Sequence, residues 1–417
     1  MNLMRRRRGW VGAISTGCLA SCVSCWLLAS PARASEPAPP AARPQVEAAL
    51  GKGVTIRSKD DLVSLQIRPR VQVRAAFATD PDKVSGSPVL KAEDAATQLA
   101  IRRARLAFRG NVLGPKLTYY VQLAFSNADT ESDLRLPLRD ASMQWEALRD
   151  IGLRFGQMKV PLGRQRVISS GALEFPDRSI IIEELSLHRD VGVVAYSRNL
   201  LGLGDTLGYQ VGVFGGDGRN RVAESAGLLW VARVDLWPNG HFTDLSEGDL
   251  ERLPKPRLAC GLTVAYNQNS YRQQSVVGDT YRLGGYDYLH GSADLMFKWR
   301  GLALSGEALL RNADLDSRDG KAADGKPLRE WSRSGAGYFA QLSQMLNENI
   351  QVATRFSHLQ PFRSTDPRLL SRSEAAGSVS YYIAGHALKV QADYSHLFGP
   401  GEAGGRHLAR LQFQLFL

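Results

Sequence analysis

The stretch LAIRRARLAFRG, Leu99 to Gly110, sets four arginines among Leu, Ile, Ala and Phe. It is too short and too broken by charge to be a buried helix. Read with a period of two, Ala104, Leu106 and Phe108 share one side while Arg103, Arg105 and Arg109 share the other, the pattern of a strand with one apolar and one cationic face. At 100° per residue the arginines scatter around a helix axis and leave no clean apolar stripe. Arg102 breaks the parity, which a strand end or a contact between subunits would account for.

The same alternation recurs along the chain. Val63, Leu65, Ile67, Val71 and Val73 oppose Ser64, Gln66, Arg68, Arg70, Gln72 and Arg74, and Trp230, Ala232, Val234 and Leu236 oppose Arg233 and Asp235. Sixteen such segments are expected, at 62–77, 98–110, 116–126, 138–146, 151–157, 190–197, 206–215, 226–237, 256–268, 287–299, 301–312, 333–345, 350–359, 373–383, 386–397 and 405–417. Their connections alternate long and short, with 238–255 long where a short turn is expected. This even count and loop rhythm belong to a transmembrane, antiparallel, up-and-down β-barrel with tight periplasmic turns, longer external loops and strands of about ten residues. The fold expected is therefore all-β, a barrel of 62–417. The last strand, ARLQFQLFL, places Leu411, Phe413, Leu415 and Leu417 on one face, and ends on Leu where outer-membrane proteins usually carry an aromatic residue.

The N-terminus fits export. Arg5 to Arg8 form a basic region, an uncharged apolar region follows, and Ala32-Arg33-Ala34 is a small-x-small cleavage site, so 1–34 reads as a signal peptide. Leu19-Ala20-Ser21-Cys22 resembles a lipidation box, but Trp26-Leu27-Leu28 continues the apolar region past Cys22 and favours cleavage at Ala34. Arg5 to Arg8 also faintly resemble a twin-arginine signal. Residues 35–61 read as a periplasmic Pro/Ala-rich tether with one short strand, GVTIRS at 53–58. Three of the four cysteines lie in the leader and leave Cys260 alone, so a disulfide framework is excluded. The leader holds five arginines and no acid, so the net charge of +11 falls to +6 in the mature chain.

If the apolar face meets lipid, the other face lines a water-filled lumen. A basic residue turned to lipid at the midplane costs about 2–4 kcal/mol, which enforces the parity. Lumen parity then collects Arg68, Arg70, Arg74, Arg103, Arg105, Arg109, Arg154, Arg233, Arg257, Lys298, Arg311, Arg333, Arg355, Lys389 and Arg410. Against these fifteen cations stand seven acids, Asp140, Glu146, Asp235, Asp294, Glu307, Glu374 and Asp393. In a narrow channel such an excess concentrates anions and repels cations, and the guanidinium fork suits phosphate or carboxylate. Arginines balanced by acids purely for barrel stability are the competing reading.

IRRARL at 101–106, LRDASMQW and LRFGQMKVPLG within 138–163, and EFPDRS at 174–179 resemble the phosphate-selective porin O and P family, most strongly over 62–215. The resemblance implies a sixteen-stranded outer-membrane barrel of a Gram-negative bacterium, usually a homotrimer embedded in outer-membrane lipid. It also implies that the loop between the fifth and sixth strands, here 158–189, folds inward. Its basic residues Lys159, Arg164, Arg166, Arg178 and Arg189 stand beside Glu174, Asp177, Glu183 and Glu184. The anion pathway expected is Arg68, Arg70, Arg74, Arg103, Arg105, Arg109 and Arg154 with Lys159, Arg164 and Arg166. Phosphate or polyphosphate is the ligand the family implies, although family members noted for phosphate use a lysine cluster and only Lys298 and Lys389 have lumen parity here.

Other function classes find little support. The seven histidines are scattered, and neither HExxH nor a nucleotide-binding glycine fingerprint occurs, so no enzyme and no cofactor are expected; GGDG at 215–218 reads as loop glycines. Asp314, Asp316 and Asp319 in NADLDSRDG read as a hydrated external loop, with only a weak Ca²⁺ signal. Nucleic-acid binding is a poor reading because the arginines alternate with lipid-facing residues. A general non-selective porin and a structural barrel remain as alternatives, but 35–61 is too short to plug sixteen strands.

Overall fold

The computed structural model describes residues 45–79, 95–129, 136–221, 227–362, 365–402 and 405–417. The expected signal peptide and the tether as far as residue 44 lie outside the described residues. Within the rest of the tether segment, β1 (Gln45–Ala49) and β2 (Gly53–Arg57) form a hairpin, and β2 pairs with the start of β3 (Ser64–Thr79), Val54 opposite Ile67.

After β3 the chain runs through β4 (Ala95–Asn111), β5 (Leu117–Ala124), β6 (Leu138–Trp145), β7 (Gly152–Lys159), β8 (Arg189–Ser197), β9 (Leu207–Phe214) and β10 (Leu229–Leu236). It continues through β11 (Arg257–Ser270), β12 (Tyr286–Trp299) and β13 (Leu302–Ala313). A separate hairpin, β14 (Ser317–Lys321) and β15 (Pro327–Trp331), precedes β16 (Gly335–Met345), β17 (Ile350–Pro361), β18 (Arg372–Ala384), β19 (Leu388–Phe398) and β20 (Arg406–Phe416). Each wall strand pairs antiparallel with the next, and β20 returns to β3 with Leu415 opposite Val71, which closes a barrel of sixteen strands. All sixteen expected strands are present in order. Within the connection expected as a hydrated loop around Asp319, Ser317–Lys321 forms a largely exposed strand of the β14–β15 hairpin, and Asp319 pairs with Arg329.

Alternation in sequence becomes alternation in burial. In β10, Leu229, Val231, Arg233 and Asp235 are buried, and Trp230, Ala232, Val234 and Leu236 are exposed outward. The register shifts at four places among the described wall strands, in β4, β6, β11 and β18, and the first two re-aim arginines. Gln72 faces Arg103 and Val73 faces Ile101, so Arg102 is an extra residue in β4. Likewise Gln122 faces Asp140 and Leu123 faces Leu138, so Arg139 is extra in β6. A bulge sets two residues against one and re-aims side chains. Before the first, Leu99 and Ile101 point outward; after it, Arg103 and Arg105 are buried. Arg102 needs neither a strand end nor a subunit contact: its guanidinium reaches Asp177 at 3.3 Å.

One glycine is forced by the wall. Gly156 has φ of +112°, and a Cβ there would lie 2.2 Å from the carbonyl oxygen of Ala141. Only a residue without a side chain lets β7 pass β6 in that conformation.

Candidate functional site

The β7–β8 connection folds inward across the barrel. Pro161 and Gly163 turn the chain away from β7 into α1 (Arg164–Val167), and a Cβ on Gly163 would lie 1.9 Å from Glu307 Oε1 on the facing wall. Farther along, α2 (Ile180–Leu185) buries Ile181, Ile182 and Leu185 against Leu309 of β13, Phe339 of β16 and Leu359 of β17. Gly337 leaves the space that Ile181 fills. The helix thus supplies an apolar patch among the arginines and carboxylates of the lumen.

Polar anchors fix the rest of the loop. Asp177 receives Arg74 at 2.6 Å, Arg410 at 3.0 Å, and Arg102 and Arg103 at 3.3 Å each. Burial pushes its carboxyl up, but these four guanidinium groups outweigh that and hold it well below the usual carboxylate range. Arg70 donates to Ser169 and Ser170, Lys389 to Leu173 O at 2.8 Å, and Gln414 to Gly171 O at 3.1 Å. Glu184 accepts Arg311 at 2.7 Å and Arg333 at 2.9 Å.

A second segment enters from the opposite end. The β10–β11 connection, 237–256, bends back into the barrel, which explains why its length broke the loop rhythm. Lys298 donates to Thr243 O, Ser246 O and Gly248 O at 2.7–2.8 Å, and Arg164 joins the segment to the inward loop through Asp244. The two lysines expected from strand parity, Lys298 and Lys389, are therefore engaged by backbone carbonyls of the two inward segments, and Lys159 at the end of β7 likewise donates to Val167 O and Ile168 O.

Open space between the inward segments and the wall lies against β4–β10. Two cavities of about 340 Å³ and 450 Å³ share Arg154, Val167 and Gln210 in their walls. The smaller is walled by strand residues such as Tyr119, Tyr120 and Gln122 on one side and by Arg166, Ser169, Ser170 and Arg178 of the loop on the other. Seven cations line it: Arg105, Arg139, Arg154, Lys159, Arg166, Arg178 and Arg189. Among its described lining residues the one carboxylate is Asp140, already held by two bonds from Arg189 at 2.9 and 3.1 Å. Asp129, behind the wall, takes Arg105 and Arg139. Arg166 has Glu183 at 4.0 Å as its ion-pair partner, and its buried Nε has no hydrogen bond. Burial, with Arg178, Arg189 and Arg105 nearby, lowers Arg166 to about 9 against the pull of Glu183, so it stays charged at neutral pH. The larger cavity is mixed, with Arg164, Arg198 and Arg233 beside Asp205, Asp235 and Asp244 and an apolar side of Trp237, Phe242 and Leu245.

Of the ten pathway residues expected from sequence, Arg105, Arg154, Lys159 and Arg166 line the smaller cavity, and Arg154 and Arg164 the larger. Arg70, Arg74 and Arg103 face inward but hold the loop. Arg68 bonds Gly51 O at 2.8 Å and lies over the Phe416 ring, and Arg109 bonds Gln66. Arg139 escaped sequence reading because its bulge reverses the parity that would have assigned it. Arg178 and Arg189 carried a signal, since both stand among the loop's basic residues, yet they were not placed in the pathway.

Known proteins agree with this architecture. Residues 71–227 match the sequence model of the phosphate-selective porin O and P family. The match includes all the motifs that suggested the resemblance, and bears it out. No curated protein sequence matches the chain significantly. Among solved structures, the anion-selective porin from Comamonas acidovorans is similar at a TM-score of 0.54 and 12% identity, covering 85% of this chain and 100% of that one. OprB of Pseudomonas putida at high pH gives 0.55 and 8% identity, covering 86% and 95%. OmpF of Salmonella typhi in complex with daunomycin gives 0.53 and 10%, covering 86% and 99%. At such identities the likeness shows the fold. Family match and fold together support an outer-membrane porin channel in a Gram-negative bacterium, and point to a channel rather than an enzyme.

Proposed function

We propose that this porin conducts anions in preference to cations by passive diffusion past the two neighbouring cavities. The observation that carries the reading is the lining of the smaller one, seven cations around a single carboxylate that Arg189 already neutralises. Low-dielectric walls focus such a charge excess and raise local anion concentration. Neighbouring positions on one face of a strand repeat about 6.8 Å apart, twice the rise of about 3.4 Å, so an anion passes between weak sites without complete desolvation. Phosphate or polyphosphate belongs to this proposal through the family match, although the lumen lysines are engaged with carbonyls. Export by 1–34, the tether of 35–61 and a surround of outer-membrane lipid belong to it as well.

A planar-bilayer reversal potential in asymmetric KCl tests the reading. Anion selectivity is expected, with phosphate reducing the chloride current; a cation-selective pore overturns it. Anion selectivity without phosphate block leaves a general anion porin, and an unselective pore leaves a general diffusion channel. Absence of conductance favours a structural barrel.

The homotrimer rests on the family match and on porin neighbours, one of which is described as the trimer form of OmpT of Vibrio cholerae. Arg102 no longer supports it, because its guanidinium faces Asp177. Crosslinking in mild detergent is expected to give three subunits, and a monomer at every detergent level removes the proposal.

A further inference from the structure

The two inward segments meet at a pair of buried carboxylates, Glu174 of the β7–β8 loop and Glu247 of the β10–β11 segment, each 2% exposed. Gln341 Nε2 of β16 donates to both, at 2.5 Å to Glu174 Oε2 and 3.1 Å to Glu247 Oε2. The backbone N–H of Glu174 donates to Glu247 Oε2 at 2.8 Å, and Glu247 N–H donates to Ala172 O at 3.1 Å. Their remaining partners are Ser343, Gln351 and Gln165. All of these donors are neutral. The loop's other anchoring carboxylates, Asp177 and Glu184, each have at least two arginines.

The cations near the pair donate to backbone carbonyls rather than to either carboxylate. Lys298 of β12 makes its three bonds to Thr243, Ser246 and Gly248, and Lys389 of β19 bonds Leu173 O. Arg178 donates to Gln165 O and Ile168 O. Of the other titratable groups facing the pair, the Tyr382 hydroxyl of β18 donates to Gln351, and His386 Nε2 contacts Ser246 at 2.9 Å. Glu307 of β13 accepts Gln165 N–H, and Asp249 accepts Gly301 N–H. Two carboxylates that share neutral donors in a dry site do not both ionise without cost.

The geometry points to a proton-held latch: a proton retained on Glu174, where it faces Glu247, keeps the two inward segments together, and its loss drives them apart and widens the path. Burial first, then the facing Glu247, raises Glu174 to about 7, which places the release near neutrality. The sign follows directly. Between the usual 4.5 and about 7 the unfolded chain releases a proton that the latched state keeps, so the latch weakens as pH rises and reaches its full penalty above about 7.

The latch rests on the channel reading, and single-channel records of the full-length porin in KCl from about pH 5 to about pH 9 separate the two, since that range brackets the release. Open-state occupancy of the wild type is expected to rise with pH by up to about tenfold per unit around its midpoint, the slope of a one-proton coupling. Glu247→Gln, which keeps the size and can still hydrogen-bond, should abolish the midpoint while retaining heat-modifiable barrel mobility. Glu174→Gln should do the same and serves if the first variant does not fold. Occupancy independent of pH in the wild type, or an unchanged midpoint in a folded variant, overturns the latch and leaves the channel standing. No conductance at any pH overturns the channel reading itself.

Discussion

Asp177→Asn is expected to free the far end of the inward loop while the barrel stays folded. The carboxylate neutralises part of a cluster of four arginines, Arg74, Arg102, Arg103 and Arg410; Arg410 also pairs with Asp393, while Arg74 and Arg103 are buried beside Asp177. Removing one partner of a buried ionic network costs about 3–5 kcal/mol, because the remaining charges stay desolvated. That cost falls on the loop rather than on the wall, whose strands pair continuously from β3 to β20. Two measurements follow. Trypsin should cut the variant after Arg166, buried in the wild type, or after Arg178, half-buried with its side chain bonded to two carbonyls, and single-channel conductance should rise. Unchanged trypsin resistance together with unchanged conductance removes Asp177 from the anchoring role. The pH dependence of this anchor is opposite to that of the carboxylate pair. Since Asp177 titrates well below its ordinary value, its contribution is complete above the unfolded value near 4 and is lost as pH falls through the folded value.

The barrel was legible because lipid punishes every parity error, so the apolar period of two persisted through all sixteen strands. β10 is the clearest instance: Trp230, Ala232, Val234 and Leu236 face outward opposite Arg233 and Asp235, and burial alternates residue by residue even where inward-facing Val231 is apolar. What parity misses is a bulge. Arg102 looked outward and Arg139 went unassigned because one extra residue in β4 and one in β6 reverse the facing locally, and neither strand carries a glycine or proline at that point to mark it. Parity also separates inward from outward but does not separate a residue that lines water from one that holds a loop. Arg74 and Arg154 both have lumen parity in sequence; one is held by Asp177 of the loop, and the other, bonded to Gln144 of the neighbouring strand, lines both cavities. That distinction depends on where 158–189 and 237–256 come to rest, and their positions are set by contacts across the barrel, such as Arg164 with Asp235, Asp244 and Asp294. The long 238–255 connection was visible as an irregularity of rhythm, but its bend into the lumen depends on Lys298, more than forty residues later in the sequence.

Charge reversal in the smaller cavity should have the largest effect on selectivity. Arg166→Glu combined with Arg178→Glu changes its lining from seven cations and one acid to five cations and three acids. Of the five, Arg189 remains tied to Asp140, and Arg105 and Arg139 to Asp129, which leaves Arg154 and Lys159 against the two new carboxylates. Focused fields in such a site change local ion concentration by about ten-fold or more, so the anion-to-cation permeability ratio is expected to fall by at least that order. Arg178 also donates to Gln165 O and Ile168 O, so its loss disturbs the loop as well as the field. Arg178→Gln with Arg166→Gln separates these effects: it keeps donors at both positions while removing two charges, and should produce an intermediate ratio. Reversal potentials for the wild type, the double Gln variant and the double Glu variant should therefore fall in that order. If all three give the same ratio, the seven cations of the cavity do not set selectivity, and the arginines serve the wall alone.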